Sequence, residues 1–298
     1  MLRRTLITDL PMLELTPATK PAITFPLQLG EGPTWDDVRD CLWFVDITAP
    51  ALLQLKPRSG AITRHAMPAD IGSFGLTQGP RLIVALRNGV HFYDPARQTL
   101  EFLVHPEPDQ PHGRLNDGKV GPDGAFYVGS MDERSPRQPV AALYRIAPDG
   151  SVTRLRDCLL ISNGLAWSPD GRIMYHADTR ADLVSQCAFD PANGPIGAFK
   201  PFCSLDAQTG VPDGATIDSQ GYYWSAGVSA GCLNRIAPDG VIERRLHLPM
   251  KHPTMPCFGG PDLATLYVTS LSRDGDQGTL ISLDAGVRGL PAYRFKRI

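Results

Sequence analysis

The fold is decided by the stretch Gly-Pro-Asp-Gly-Ala-Phe-Tyr-Val-Gly at residues 121–129. Its first four residues suit a tight turn, because Pro fixes φ, Asp bonds to nearby backbone, and Gly accepts a positive φ. The aromatic and β-branched residues that follow favour an extended strand. The stretch therefore predicts a turn that leads directly into a β-strand.

The same turn-and-strand pattern occurs six times along the chain. The copies begin near residues 35, 78, 121, 168, 218 and 260, so the steps are 43, 43, 47, 50 and 42 residues. A step of this size matches one four-stranded blade of a β-propeller. We predict an all-β fold, a six-bladed β-propeller with four-stranded antiparallel blades, in which residues 1–298 form a single domain. A β-sandwich is the alternative, although a sandwich does not explain a steady repeat.

The composition shows no strong charge bias. Of the 298 residues, 42% are hydrophobic and 20% are charged, and the formal net charge is −2. This balance argues against nucleic-acid and membrane partners, because both favour a basic excess. No apolar run approaches the roughly 18 residues of a membrane helix, and acidic residues and proline interrupt the N-terminal segment where a signal peptide needs an apolar core. We expect a cytoplasmic protein that is a monomer or a weak homo-oligomer.

Some residues outside the repeat pattern also carry expectations. The N-terminal segments Leu6–Thr8 and Met12–Leu15 precede the first repeat, and we expect them to pair with the C-terminal blade and cover its open edge. The six cysteines contain no Cys-x-x-Cys pair, so we expect buried, reduced thiols, with one disulfide still possible. The four tryptophans fall at equivalent strands and are expected to lie between blades. None of the serines has a plausible catalytic-triad context.

Polar residues recur at equivalent places in several repeats. Glu31, Asn163 and Asp213 each precede a glycine and lie 4 or 5 residues ahead of the turn of their repeat, and Asn116 occupies a fourth such position. We expect these residues just before the inner strands, where equivalent positions of a radial repeat meet at one axial mouth. Two carboxylates with one or two amides form an oxygen-rich set that suits Ca²⁺, Mg²⁺ or Mn²⁺, and Zn²⁺ and Fe²⁺ also accept such oxygens.

Seven stretches, in order from about residue 28 to 293, carry a resemblance to a known family. They are Glu31-Gly32-Pro33 with Trp35; Arg114-Leu115-Asn116-Asp117-Gly118-Lys119; Gly129-Ser130-Met131; Ser162-Asn163-Gly164-Leu165-Ala166; Tyr175 with Ala177-Asp178-Thr179; Pro212-Asp213-Gly214; and Cys257-Phe258-Gly259-Gly260 with Leu266-Tyr267-Val268-Thr269-Ser270. Together they resemble the SMP-30/gluconolactonase/LRE family, also called the regucalcin family.

The resemblance implies a six-bladed propeller with one catalytic divalent metal ion that opens sugar-acid lactones to aldonic acids. It implies that Glu31, Asn163 and Asp213 bind the metal and that Arg114 and Asn116 contact the substrate. Animal members carry a substrate-binding Glu a few residues beyond the Gly-x-Met motif. An ungapped count places Arg134 there, so our candidate for that carboxylate is the neighbouring Glu133, and whether Arg134 replaces it stays open.

The predicted reaction is the metal-dependent hydrolysis of an aldonolactone, such as glucono-, xylono-, arabinono- or galactonolactone, and the predicted partner is this small molecule. Asp213 is our candidate for the general base, in addition to its role as a ligand, and Arg114 would steady the developing negative charge. Two other functions remain open. One is a metal-dependent hydrolase of another ester, such as a phosphotriester, and the other is a non-enzymatic calcium-binding propeller.

Overall fold

The computed structural model describes residues 12–296, and most of these residues lie in β-strands. In chain order the strands are β1 (Leu13–Leu15), β2 (Thr19–Pro21), β3 (Gly30–Asp36), β4 (Cys41–Asp46), β5 (Ala51–Lys56), β6 (Ala61–Ala66), β7 (Ile71–Leu76), β8 (Leu82–Leu86), β9 (Gly89–Asp94), β10 (Thr99–Val104), β11 (Gly113–Val120), β12 (Phe126–Asp132), β13 (Ala141–Ile146), β14 (Val152–Leu159), β15 (Ser162–Trp167), β16 (Ile173–Asp178), β17 (Leu183–Asp190), β18 (Gly194–Ser204), β19 (Pro212–Ile217), β20 (Tyr223–Gly227), β21 (Cys232–Ile236), β22 (Ile242–His247), β23 (Pro253–Gly259), β24 (Thr265–Ser270) and β25 (Leu280–Asp284). Within residues 12–296 the one helical segment is a 3-10 turn at Thr179–Ala181, and no helix there is long and apolar enough to cross a membrane.

The strands form six sheets, which are the blades of a β-propeller. Five blades use consecutive strands, namely β3–β6, β7–β10, β11–β14, β15–β18 and β19–β22, and neighbouring strands within each blade are antiparallel. The first strand of every blade contacts the first strands of both neighbouring blades, so these six strands surround the axis. The predicted six-bladed propeller with four-stranded antiparallel blades is confirmed.

The sixth blade is built from both ends of the described chain. Its inner three strands are β23, β24 and β25, and its outer strand is β2, which pairs antiparallel with β25. The expected pairing of Met12–Leu15 with this blade is wrong, because β1 adds in parallel to β22 as a fifth strand of the fifth blade. Glu14 of β1 forms ion pairs there with Arg245 and His247, which favours that edge. Leu6–Thr8 lie outside the described residues.

The hydrophobic core is divided among the interfaces between blades. Among residues 12–296 there are six apolar clusters, and each draws its members from two neighbouring blades. The four tryptophans are buried in four different clusters, as expected: Trp35, Trp43, Trp167 and Trp224. All six cysteines are unpaired, so the structure contains no disulfide between them. Cys158 is exposed rather than buried.

The aspartates of the repeated turns bind more than their own backbone. Asp218 accepts hydrogen bonds from the indole nitrogen of Trp224 and from Nε of Arg235, both at 2.9 Å. Asp123 accepts a hydrogen bond from Nε of Arg145 at 2.8 Å in the same way. In each case the partner arginine lies on the third strand of the same blade. The turn therefore also fixes the packing of its own blade.

A tail of residues 286–296, here called the C-terminal strap, crosses one end of the axis. Gly289 bridges to Asp218 in the fifth blade, whereas Phe295 bridges to Thr77 beside the second blade. Between these anchors, Leu290–Tyr293 line an axial cavity of about 100 Å³. The remaining walls of this cavity come from the C-terminal halves of all six innermost strands. The N-terminal halves of the same strands carry the predicted site residues.

Candidate metal and substrate site

Each innermost strand is irregular at the same place. Between the pairing residues on either side, the innermost strand has one more residue than its partner strand, which is the geometry of a β-bulge. The flanking residues are Glu31 and Thr34 in β3, Ile71 and Ser73 in β7, Leu115 and Gly118 in β11, Asn163 and Ala166 in β15, Pro212 and Ala215 in β19, and Pro253 and Met255 in β23. Glu31, Asn116, Asn163 and Asp213 therefore lie within the innermost strands, at the bulges, and not just before the strands as expected.

Glycines permit the bulges to approach one another. Gly32 and Gly164 both have positive φ, at 58° and 66°, directly after Glu31 and Asn163. The hydroxyl of Tyr223 donates a hydrogen bond of 2.8 Å to the Gly164 carbonyl. A Cβ atom at position 164 would lie 2.5 Å from that hydroxyl and 3.3 Å from the backbone oxygen of Asp213. The strands that carry Asn163 and Asp213 are thus brought together at a position that favours glycine.

A continuous hydrogen-bond chain joins three of the predicted residues. Arg114 donates to Oδ1 of Asn116 at 2.8 Å, and Nδ2 of Asn116 donates to Oδ1 of Asn163 at 2.9 Å. Nδ2 of Asn163 in turn donates to the hydroxyl of Thr179 at 2.7 Å. Thr179 therefore turns the amide oxygen of Asn163 towards Asn116 and away from the 3-10 turn. All four side chains are buried.

Three carboxylates share this buried space. Burial, together with the charges of Asp213 and Asp117, raises the pKa of Glu31 well above its usual range. Burial and the charge of Asp117 raise the pKa of Asp213 to about 8, while Arg114 acts in the opposite direction. Burial also raises the pKa of Asp117, which accepts a hydrogen bond from the backbone nitrogen of Leu165 at 3.2 Å. The carboxylates are close enough to repel one another electrostatically.

This donor set fits a hard divalent cation. The buried carboxylates of Glu31 and Asp213 repel each other. The amide oxygen of Asn163 lies in the hydrogen-bond chain that begins at Arg114, whose charge acts on both carboxylates. Oxygen ligands of this kind suit Ca²⁺, Mg²⁺ or Mn²⁺, and a cation would offset the repulsion. Within residues 12–296, no three His, Cys, Asp or Glu side chains are grouped so as to hold one ion by themselves. A metal site here therefore depends on the amide of Asn163 as well as on the carboxylates.

Glu133 lies beside Arg114, whereas Arg134 does not join the network. One oxygen of Glu133 is 3.6 Å from Nε of Arg114, and both of its oxygens accept hydrogen bonds from Arg87, at 2.6 and 2.9 Å. Arg87 also pairs with Asp70 at 2.7 Å. Arg134 instead binds the carboxylate of Asp132 at 2.8 Å. Glu133 and Arg134 were the two residues at or next to the position of the substrate-binding Glu. Of these two, Glu133 lies next to Arg114 in the structure.

Ser162 and His176 form a buried pair that is not arranged as a nucleophile and its base. The hydroxyl of Ser162 is 2.7 Å from Nε2 of His176, and Nδ1 of His176 faces Arg156 at 2.9 Å. Because an arginine can only donate, Nδ1 is the acceptor and Nε2 carries the proton. Ser162 and His176 are both fully buried, so no substrate reaches them. The pair fixes the strand position next to Asn163.

Three residues that contribute here have no evident role in the sequence alone. Asp117 and Lys119 lie within the motif at residues 114–119, and Thr179 follows Asp178. Simple strand alternation would place Asn116 and Asp117 on opposite faces, but the bulge in β11 interrupts this alternation. The charges of Asp117 and Lys119 are the signal that could have identified them. A strand next to a propeller axis contacts little water, so a charged side chain there needs a partner or a function.

Comparisons with known proteins show the family of this chain. The family model described as the SMP-30/Gluconolactonase/LRE-like region matches residues 29–272. The chain is 36% identical to the 6-deoxy-6-sulfogluconolactonase of Pseudomonas putida over 247 residues, covering 82% of this chain and 84% of that protein. It is 31% identical to human regucalcin over 284 residues, covering 89% and 94%.

A solved structure shows the same architecture. The calcium-binding protein regucalcin from Agrobacterium tumefaciens superposes with a TM-score of 0.90 at 29% sequence identity, over 95% of this chain and 99% of that one. The family model covers well over half of the sequence, and the matched region contains Glu31, Asn163 and Asp213. The chain therefore belongs to the SMP-30/gluconolactonase/LRE-like family.

Proposed function

We propose that this protein is a metal-dependent sugar lactonase that hydrolyses an aldonolactone to the aldonic acid. Relatives named as lactonases support the reaction class, and the sulfogluconolactonase of Pseudomonas putida supports a six-carbon sugar-acid lactone. The observation that carries the proposal is the repulsion between the buried carboxylates Glu31 and Asp213 near Arg114, which a hydrogen-bond chain joins through Asn116 to Asn163. That set is suited to a cation next to polar groups that can bind a substrate.

The chain's own residues would bind and orient the lactone. Arg114 is buried at the mouth, where its guanidinium can donate hydrogen bonds to substrate oxygens and stabilise negative charge that develops on the carbonyl oxygen. Asn116 is held by Arg114 and by Asn163, so its amide has a fixed orientation in which it would contact the substrate. Glu133, held by Arg87, would accept hydrogen bonds from the sugar hydroxyls.

Asp213 would act as the general base. Its carboxylate is buried and faces the same space as Glu31, so it can accept the proton of the attacking water as the ester bond of the ring opens. Glu31, Asn163 and Asp213 would hold the metal ion. When bound, a divalent cation polarises a lactone carbonyl and lowers the pKa of water.

The test is acid release from a panel of lactones in weakly buffered solution. The panel contains five- and six-membered aldonolactones, 6-deoxy-6-sulfogluconolactone and a phosphotriester. We expect hydrolysis of at least one aldonolactone, its loss after treatment with a chelator, and its recovery when a divalent metal is added back. Cleavage of the phosphotriester alone, or of no compound, would reject the proposal.

Two variants separate the catalytic role from folding. Asp213→Asn keeps the size of the side chain but removes its charge, so we expect at least about a 100-fold loss of kcat, the lower range for general acid–base catalysis. Asp262→Asn provides a matched control on an exposed turn of the sixth blade and is expected to leave kcat unchanged. Circular dichroism spectra that match the unmodified protein would show that the propeller is intact. Normal turnover by folded Asp213→Asn would remove Asp213 from the mechanism.

A further inference from the structure

We propose that Lys119 is a positioning residue: it binds the backbone of β19 and so holds Asp213, the proposed metal ligand, in place. The inference rests on the proposed metal site and adds a residue to which no role has been given. A contact between the third and fifth blades would fix the position of Asp213. Lys119 itself would touch neither the metal nor the substrate.

The contact crosses the propeller axis. Lys119 lies near the end of β11, and its Nζ donates a hydrogen bond to the backbone carbonyl of Ala215 in β19. Strand β15 of the fourth blade lies between these two strands in the ring, so the lysine reaches past one neighbour to the next. Ala215 is the first paired residue after the bulge of β19, two residues beyond Asp213. A bond at this carbonyl therefore fixes the C-terminal side of the bulge that presents Asp213.

The surroundings of Lys119 indicate that it is needed as a hydrogen-bond donor. Lys119 is half-buried, and the negative charges near its ammonium group are those of Asp117 and Glu31. Burying an ammonium group is costly unless it is well paired. An apolar side chain would fill the wall of the axial cavity, which Lys119 lines, without that cost. The lysine contributes what an apolar residue cannot, namely a donor that reaches the β19 backbone.

A positioning role and a pure counter-charge role predict opposite effects on metal binding. If Lys119 only neutralised the carboxylates, its removal would leave more negative charge and tighten the binding of a cation. If Lys119 holds Asp213 in place, its removal lets the bulge relax and weakens binding. Partners that orient metal ligands typically contribute about 10–100-fold to metal affinity. The sign of the change therefore decides between the two roles.

The experiment measures Mn²⁺ binding to the chelator-treated full-length protein by titration calorimetry, with the electron paramagnetic resonance spectrum of Mn²⁺ as a second readout. Lys119→Met removes both the charge and the donor, and we expect the Kd to rise at least about 10-fold. Lys119→Gln removes the charge but retains an amide donor, and we expect it to recover part of the lost affinity. Lys200→Met, at an exposed position of β18, is the matched control and should bind like the unmodified protein.

The outcomes are distinct. Equal or tighter binding by Lys119→Met would overturn the inference, and so would a Lys119→Gln protein that binds as weakly as Lys119→Met. If Lys119→Met does not fold, Lys119→Ala replaces it with the same expected loss, because it leaves space without forcing an apolar group into the cavity. Failure of the unmodified protein to bind Mn²⁺, Ca²⁺ or Zn²⁺ would instead reject the metal site of the proposed function.

Discussion

The amide of Asn163 illustrates how single residues are fixed at the axis. It is held from one side by the hydroxyl of Thr179 and from the other by the amide of Asn116, so its oxygen and nitrogen cannot exchange places without breaking both contacts. As the metal ligand that we propose, Asn163 would lose little entropy when the ion binds, because its amide is already oriented. Arg114 is oriented in the same way, because it donates hydrogen bonds to Asn116 and to the Leu115 carbonyl.

His176 gives the protein a specific dependence of stability on pH. Burial and the neighbouring Arg156 hold the pKa of His176 well below its usual 6.5. Below about pH 6.5 the unfolded chain therefore binds a proton that the folded chain does not, and the free energy of unfolding decreases as the pH falls. The slope contributed by this one group approaches about 1.4 kcal/mol per pH unit.

Urea unfolding between pH 5 and pH 8 checks this prediction. We expect the stability difference between the unmodified protein and His176→Gln to be constant above about pH 7.5 and to change in favour of the variant below about pH 6.5. A difference that stays constant across the whole range would show that His176 is not held neutral in the folded state.

The sequence suggested which residues meet at the axis better than it suggested their contacts. The similar spacing of Glu31, Asn163 and Asp213 from their turns predicted that they meet. In the structure the charge of Asp213 acts on Glu31, and Arg114, whose charge acts on Glu31 as well, is joined through Asn116 to Asn163. Their role as metal ligands stays a prediction. Thr179 could not be predicted in this way, because it reaches Asn163 from the end of a different strand. Contacts of this kind depend on how two strands are aligned, which the residue types alone do not specify.

At the scale of the strands, the recurring bulge is the feature that builds the site. All six innermost strands carry it at the equivalent place, so six chain segments bend toward one point on the axis. Turns could be predicted from Pro-Asp-Gly composition, but the bulges could not. A glycine after a polar residue is equally typical of a turn, and this ambiguity placed the site residues ahead of the strands that contain them.

Gly164 is the position where this strand geometry is most easily tested. Gly164→Ala adds a methyl group 2.5 Å from the Tyr223 hydroxyl and 2.8 Å from Cβ of Ala177, at a φ of 66°. Gly275→Ala also places alanine at a positive φ, 82°, but meets no atom within 4 Å, so it isolates the backbone strain. We expect Gly164→Ala to cost about 1–3 kcal/mol more than Gly275→Ala, from overpacking alone.

Urea unfolding of both variants measures this difference. Equal losses of stability would mean that β15 and β19 can separate without cost, and the close approach of the two bulges would then not constrain the site. Gly164→Ala should also weaken metal binding, because Gly164 adjoins Asn163.

At the scale of the whole molecule, the ring is held closed by two separate devices. One is the pairing of β2 with β25, and the other is the C-terminal strap, whose Phe295 is fully buried between the second and third blades. The repeat count predicted the number of blades but not this second device. The strap has no repeat signature, and its apolar residues find partners only after six blades have formed an axial end to cover.

Phe295→Ala tests the importance of the strap. Truncation of a buried phenylalanine costs about 3–5 kcal/mol, so we expect a loss of that size in the free energy of unfolding. Phe102→Ala removes the same atoms from a side chain that is 60% exposed, and we expect a change of no more than about 0.5 kcal/mol. Similar small losses for both variants would show that the strap lies on the propeller without stabilising it.

The closure of the sixth blade has a consequence for folding during synthesis on the ribosome. Thr19 pairs with Leu283, so the outer strand of the sixth blade is synthesised 264 residues before its partner (283 − 19). At about 5–20 residues per second, the early strand waits on the order of 10–50 s before its partner exists. During that interval the first blade lacks the neighbour that covers Trp35 and Phe44. Completion of the ring is therefore a late event, and a nascent chain that stalls before the sixth blade would expose apolar surface to chaperones and to other chains.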